Sequence, residues 1–302
     1  MSAGTGYRPY CEPHNQGAGE IAFIMNSGRK AISKEATLMN FAEEANKEHD
    51  NLKEYSKTRF SELAEIFSEE NKAAVNYERL LCRATLMLGH VKPKDAADQS
   101  IRDLLADVFD FLYISRQLIL QGNLSAAFPL LRRAFESSAL IHYFILKPLK
   151  ADSWGKDKQI SNEEIRKFLG SNRMGLTATE DAYKKAYADY SGGSHPNRKY
   201  LPYRYLGEPN EFVLGSIVKP ELLVVGTNFS KLIGLWFWLA AMISLHYVKL
   251  FDIADPTYGR DYMKVAEFVQ KIANEVLKNK CIKWSEQYDA RHQNDVNAMV
   301  NS

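Results

Sequence analysis

The sequence predicts an all-α protein, a multi-helix bundle with a long N-terminal helical extension. Apolar residues recur at spacings of three and four through most of the chain, the period of one helix face. Helix-ending signals follow these stretches: Gly89 before Pro93, Gly122-Asn123, and Gly192-Gly193 before Pro196. No run shows the two-residue alternation of a half-buried strand, and no segment repeats.

Residues 1–33 are rich in Gly, Pro, Asn and Ser and predict an irregular arm. Residues 34–71 are heavily charged, but Leu38, Phe41, Ala45, Leu52, Tyr55, Phe60, Leu63 and Phe67 make one apolar stripe. This reads as a helical extension able to pack on the body, on a second copy of the chain, or on a protein partner. Residues 72–280 form the principal bundle. Its first helix is expected at Ala73–Gly89. The next, Ala97–Gln121, sets Ile101, Leu104, Leu105, Val108, Leu112 and Ile119 against Arg102, Asp103, Asp107 and Asp110. Ser125–Leu146 follows, with Ser125 as its cap and Pro129 in its first turn. Lys147–Asn162 reads as a polar loop, and Ser161 opens a capping box into Glu163–Leu169. Thr177–Ser191 is the next helix, and Asn197–Phe212 an aromatic loop lying against the body. Pro220–Asp252 is the longest apolar helix, with a break expected near Gly226-Thr227. Tyr258–Lys280 is amphipathic, and residues 281–302 form a polar tail.

With 302 residues the chain is long enough to bury a sizeable core, and its net charge of +2 gives no strong pull toward nucleic acid. Its three cysteines are far apart and no CxxC occurs, which argues against a disulfide framework or a structural zinc site. Cys11 and His14 have ligand-like spacing, but two ligands do not close a tetrahedral site. No metal and no cofactor are expected. The N-terminus lacks the apolar core of a signal peptide, so the expected compartment is the cytoplasm. Leu232–Leu245 runs fourteen residues without a charge, short of the about 20 a spanning helix wants. A buried central helix is expected there, and a membrane partner is not.

Chemistry is concentrated in two stretches. Arg132 and Glu136 sit four apart on the apolar helix Ser125–Leu146, a costly pair to bury unless something satisfies it. Arg132 can present its guanidinium to a phosphate while Glu136 fixes its direction; the alternative is a salt bridge tying two helices. The second stretch, Tyr187–Pro196, carries Tyr187, Ser191 and His195 in steps of four. His195 precedes a proline, which favours extended backbone and lets the ring leave a helix end, and its ordinary pKa suits proton transfer. Arg198, Lys199, Tyr203 and Arg204 then mix positive charge with aromatic rings, a combination that can stack and clamp single-stranded RNA. Its plain alternative is an ordered surface loop. His142, His246, Trp236 and Trp238 lie in apolar runs and read as core. No phosphate-binding glycine loop, dinucleotide motif, nucleophile elbow or zinc-protease motif occurs.

Arg83 and His90 have the R-x(4–6)-H spacing of metal-independent HEPN ribonucleases, although Ala84 stands where that family normally has a polar residue. Over roughly residues 99–251 the chain resembles a group of bacterial helical proteins that carry L-L-R-x-x-x-E followed by an aromatic, then Y-x-x-x-S-x-x-x-H. Here these are Leu130-Leu131-Arg132, Glu136 and Tyr143, then Tyr187, Ser191 and His195. That group is distantly similar to HEPN-type bundles, many of which serve in toxin–antitoxin or phage-defence systems. The resemblance implies a polar site between the two motif helices. The expected function is thus an RNA-directed protein, a metal-independent ribonuclease of a bacterial defence or stress system. In it Arg132 holds phosphate, His195 transfers protons, Glu136 orients Arg132, and Tyr187 hydrogen-bonds the imidazole. The alternative is a non-catalytic interaction protein with a structural Arg-Glu-His network.

Overall fold

Residues 34–156, 158–171, 180–191 and 221–287 are described by the computed structural model, and among them every regular element is helical. The chain divides into two units, Met1–Asn51 and Leu52–Ser302. In the first, the described residues belong to helix α1 (Lys34–Ile66) and expose Glu43, Lys47, His49 and Asp50. The second unit takes up the remainder of α1 and everything that follows.

Within the second unit, α1 stops at Ile66 rather than continuing to residue 71. Phe67 is fully buried, and its ring stacks on Phe229 and meets Trp284, each at 5.1 Å. Burial of that ring sets the break, and α2 (Ser68–Gly89) starts afresh with Glu69 and Glu70 in its first turn, where the helix dipole favours them. α3 (Ala96–Leu120) is capped by the Asp95 carboxylate, which accepts from the Asp98 N–H at 2.8 Å. Its apolar face is buried as the spacing predicted. Gly122 turns the chain with φ of 74°, a left-handed value that glycine adopts without strain, and α4 (Leu124–Leu146) packs back along α3.

Several boundaries differ from expectation. Ser125 lies inside α4; Asn123 precedes the helix and makes no side-chain cap there. The supposed loop after Lys147 contains a short helix, α5 (Pro148–Trp154), because Pro148 occupies the first turn, where its missing N–H costs nothing. The Ser161 cap is present, its hydroxyl accepting from Glu164 N–H at 3.1 Å at the head of α6 (Asn162–Ser171). α7 (Glu180–Ser191) follows. α8 (Leu222–His246) runs through Gly226-Thr227 without a break and ends instead at Tyr247, before α9 (Val248–Ala254). Tyr247 is buried with its hydroxyl on the Asp98 carboxylate, and that anchor fixes the bend. α10 (Tyr258–Lys271) continues through a π-helical turn, Ile272–Leu277, into residues 278–287.

The core centres on α8, which packs on α2, α3 and α4 and buries Phe229, Leu232, Leu235, Trp236 and Leu239 completely. α8 is long and apolar enough to cross a membrane, though a little over half of its most apolar window, 56%, is buried inside the protein. Charged ties hold the periphery. Arg116 of α3 grips Glu78 of α2 with two hydrogen bonds and reaches Asn71 at 3.0 Å. Lys280 donates to both carboxylate oxygens of the wholly buried Glu70 at 2.9 Å and to the Ile66 carbonyl. Asp98, Arg102 and Tyr247 form a third tie.

Candidate functional site

The seam between α4 and α7 is built first by aromatic packing. Phe135 of α4 lies against Tyr183 at 5.1 Å and stacks on Tyr190 at 4.8 Å, with Trp238 of α8 behind it at 5.9 Å. Residues three and four apart share a helix face, so Arg132 and Glu136 accompany Phe135 on α4, and Tyr187 lies between Tyr183 and Tyr190 on α7. The approach of α6 that supports α7 needs Gly170: a Cβ there would fall 2.5 Å from the backbone of Glu180 at the head of α7. Arg166 of α6 pairs with Glu180 at 3.3 Å across the same contact.

This packing brings Arg132, Glu136 and Tyr187 together. Arg132 Nε donates to Glu136 Oε1 at 3.0 Å, and Nη2 donates to the Tyr187 hydroxyl at 2.7 Å. The guanidinium also lies 5.3 Å from the Tyr187 ring centre, a cation–π distance. The Arg132 and Glu136 side chains stay 22% and 19% exposed, so water still reaches the pair. Burial works against the Arg132 charge, but Glu136 and Tyr187 outweigh it and hold the pKa above its ordinary value. The group is a fixed, directed cation.

The Tyr187 hydroxyl accepts a hydrogen bond from Arg132; the imidazole it was expected to bond, His195, lies outside the described residues. As a phenol Tyr187 keeps its own proton to donate. Tyr183, one turn earlier, is buried with its hydroxyl lacking a hydrogen-bond partner among the described residues, and burial, then Glu136 and Tyr187, push its pKa well above the ordinary phenol value. The i,i+4 spacing of Tyr183 and Tyr187 was visible in the sequence, but nothing there distinguished Tyr183 from a core ring. His195, Arg198, Lys199, Tyr203 and Arg204 lie outside the described residues, as do Cys11, His14 and Gly192-Gly193.

The second arginine–histidine pattern has a structural role at Arg83. Its guanidinium bonds Asp255, Asp261 and Thr257 and lies over the Tyr258 ring, which fastens α2 to the start of α10. His90 is exposed at the end of α2. Of the histidines read as core, His142 is buried against Trp238 but leaves Nδ1 without a partner, and His246 is exposed at the end of α8. Trp236 and Trp238 are buried as expected. Among the described residues no cluster of His, Cys, Asp or Glu could hold a metal ion.

Comparison of the chain with protein-family models, with curated proteins and with solved structures finds no match.

Proposed function

We propose that this helical bundle is RNA-directed and works as a metal-independent, HEPN-like ribonuclease of a bacterial defence or stress system, with Arg132 as the phosphate-holding group. The observation that carries the reading is the way Arg132 is held. Its ion pair with Glu136 lies within one helix and sets one edge of the guanidinium, and its hydrogen bond to the Tyr187 hydroxyl of α7 sets another. By contrast, Arg116–Glu78, Lys280–Glu70 and Arg83–Asp255 each join distant parts of the chain. A planar guanidinium, fixed in direction and still wet, suits a phosphodiester oxygen. The Tyr187 hydroxyl of α7 accepts from Arg132 at 2.7 Å, and His195 follows eight residues after Tyr187 in the chain.

In the proposed reaction the RNA 2′-hydroxyl attacks the adjacent phosphorus and loses its proton to the His195 imidazole. The P–O5′ bond breaks, the 5′-oxygen takes up a proton from water, and a 2′,3′-cyclic phosphate remains. Arg132 neutralises charge gathering on the non-bridging oxygens. Glu136 keeps Arg132 aimed, and Tyr187 positions it. Arg198, Lys199, Tyr203 and Arg204 would hold the single strand by charge and stacking.

Purified protein incubated with total RNA in chelator should release fragments ending in 2′,3′-cyclic phosphate. His195→Ala and Arg132→Ala should abolish release while retaining the wild-type circular dichroism. Intact RNA with wild type, or undiminished cutting by His195→Ala, overturns the proposal. A second reading, a non-catalytic interaction protein, draws on the hydrogen bonds that Arg132 already makes to the chain's own side chains. It expects Arg132→Ala to unfold the protein and no variant to affect an RNA assay.

A further inference from the structure

A second surface differs from the Arg132 seam in every respect. Between the outer faces of α2 and α3 lies an open groove of about 640 Å³, lined by Cys82, Thr85, Leu86 and His90 on one side and by Ala106, Phe109 and Asp110 on the other. Apart from His90, Asp110 and the Cys82 thiol the lining is apolar, and the Thr85 hydroxyl is already spent on the Leu81 carbonyl at 2.7 Å. Phe109 rests edge-on against the buried Trp236 ring at 5.4 Å and is therefore braced from below. Leu86 is 69% exposed on the α2 side, a large apolar side chain held in water. Tyr113 and Ile114 continue the apolar surface along α3, at 43% and 45% exposure. Isolated exposed apolar residues need no explanation, but a concave, contiguous set marks an interaction surface.

The two walls differ in charge. The α2 wall holds no carboxylate, and exposed His90 stands at its end, whereas Asp110 lines the α3 wall, with Asp103 and Asp107 exposed on the same helix at helical spacing. Asp103 accepts from the Gln99 amide at 2.6 Å, and neither Asp107 nor Asp110 has an ion-pair partner among the described residues. An anionic wall repels phosphate, so this groove does not extend an RNA surface.

We infer that the α2–α3 groove receives an amphipathic helix of a partner protein, with an apolar ridge over Leu86 and Phe109 and a Lys/Arg flank facing Asp107 and Asp110. A groove between two helices takes the ridge of a third, whose apolar residues recur at i, i+3 or i+4, and i+7. The single acidic wall fixes which way round that helix lies, because the reverse orientation would bury its cations against the α2 wall, which holds no carboxylate.

The test uses the full chain. A displayed library of helix-forming peptides is selected on wild type, and the strongest sequence is synthesised for fluorescence anisotropy. Selected peptides should share the apolar ridge and carry Lys or Arg along one flank. Leu86→Glu should weaken binding at least about tenfold, as expected for a buried anchor. Asp107→Lys with Asp110→Lys should weaken it at low salt and lose much of that effect at high salt. All of these positions are exposed, so wild-type circular dichroism is expected and checked for each variant. Selected peptides without basic residues, or binding indifferent to the substitutions, overturn the proposal. So does light scattering that shows a wild-type dimer separated by Leu86→Glu, because the occupant would then be a second copy.

Discussion

Removing the Glu78 carboxylate tests whether buried charge holds the α2–α3 junction. Arg116 and Glu78 side chains are only 8% and 9% exposed, and the guanidinium also lies 5.5 Å from the Tyr113 ring. In Glu78→Ala the guanidinium cannot leave, since α8 packs beneath α3. It would remain largely dry with Asn71 as its remaining hydrogen-bond partner at 3.0 Å. Breaking a buried pair this way costs about 3–5 kcal/mol, a large share of the roughly 5–15 kcal/mol that stabilises a domain. At about 2–4 °C per kcal/mol for a domain of this size, the melting temperature should fall by roughly 6–20 °C.

The complementary variant separates charge from packing. Replacing both residues at once, Arg116→Met with Glu78→Leu, removes two desolvation costs along with the attraction and should be close to neutral. Urea unfolding followed by circular dichroism measures all three proteins, with the slope checked for constancy so that midpoints compare stabilities. A loss under about 1 kcal/mol for Glu78→Ala would place the pair in effective solvent contact. A double variant as damaged as the single one would show that shape, not stranded charge, sets the cost. Either result refutes the reasoning.

Gly170→Ala puts a Cβ 2.5 Å from the Glu180 backbone; α7 must shift, at a cost of about 1–3 kcal/mol, and any Arg132-dependent RNA activity should fall with the calorimetric melting temperature. Tyr247→Phe removes the hydroxyl that donates to Asp98, a charge-assisted bond worth about 1.5–3 kcal/mol, and urea titration should show that loss; Asp98 retains Arg102 at 2.9 Å. His142 gives a pH signature, because burial holds its pKa below the ordinary 6.5. Above that value both states are neutral there and nothing changes. As pH falls through it the unfolded chain binds a proton that the folded protein refuses, so stability drops by up to about 1.4 kcal/mol per pH unit until the folded pKa is reached. Urea midpoints at pH 7.5 and 5.5 should therefore converge in His142→Asn relative to wild type.

Helix identity was legible because amphipathic spacing is a local property. The α3 stripe, the Ser161 cap and the Gly122 turn follow from neighbours in sequence. Boundaries set by distant contacts were not. Phe67 ends α1 because Phe229 and Trp284 receive its ring, and Tyr247 ends α8 because Asp98, 149 residues away, holds its hydroxyl. Both look like ordinary apolar-stripe positions in the chain. At the candidate site, the Arg132–Glu136 spacing was readable, and so was Tyr187 as a residue of interest. That the Tyr187 hydroxyl would accept from Arg132 required the register between α4 and α7, which Phe135, Tyr183 and Tyr190 set by packing.

The placement of charge also separates the parts of this protein by purpose. Ion pairs that stabilise a fold gain most when they join elements that would otherwise drift, and they recover their desolvation cost only with several hydrogen bonds. Glu70, fully buried, receives two bonds from Lys280; Glu78 receives two from Arg116; Arg83 spans α2 to the start of α10. Arg132–Glu136 follows a different rule. The ion pair lies within one helix, with both side chains partly exposed, and so ties no second element by itself. What it supplies is direction: a guanidinium plane set by Glu136 on one edge and Tyr187 on another, while water keeps access. Direction is what recognition of an anion requires, and Glu136→Gln distinguishes the two uses. If aiming is the purpose, the variant should keep its unfolding free energy within about 1 kcal/mol of wild type and lose RNA cleavage. If the pair is structural, stability should fall first and cleavage only in step with it.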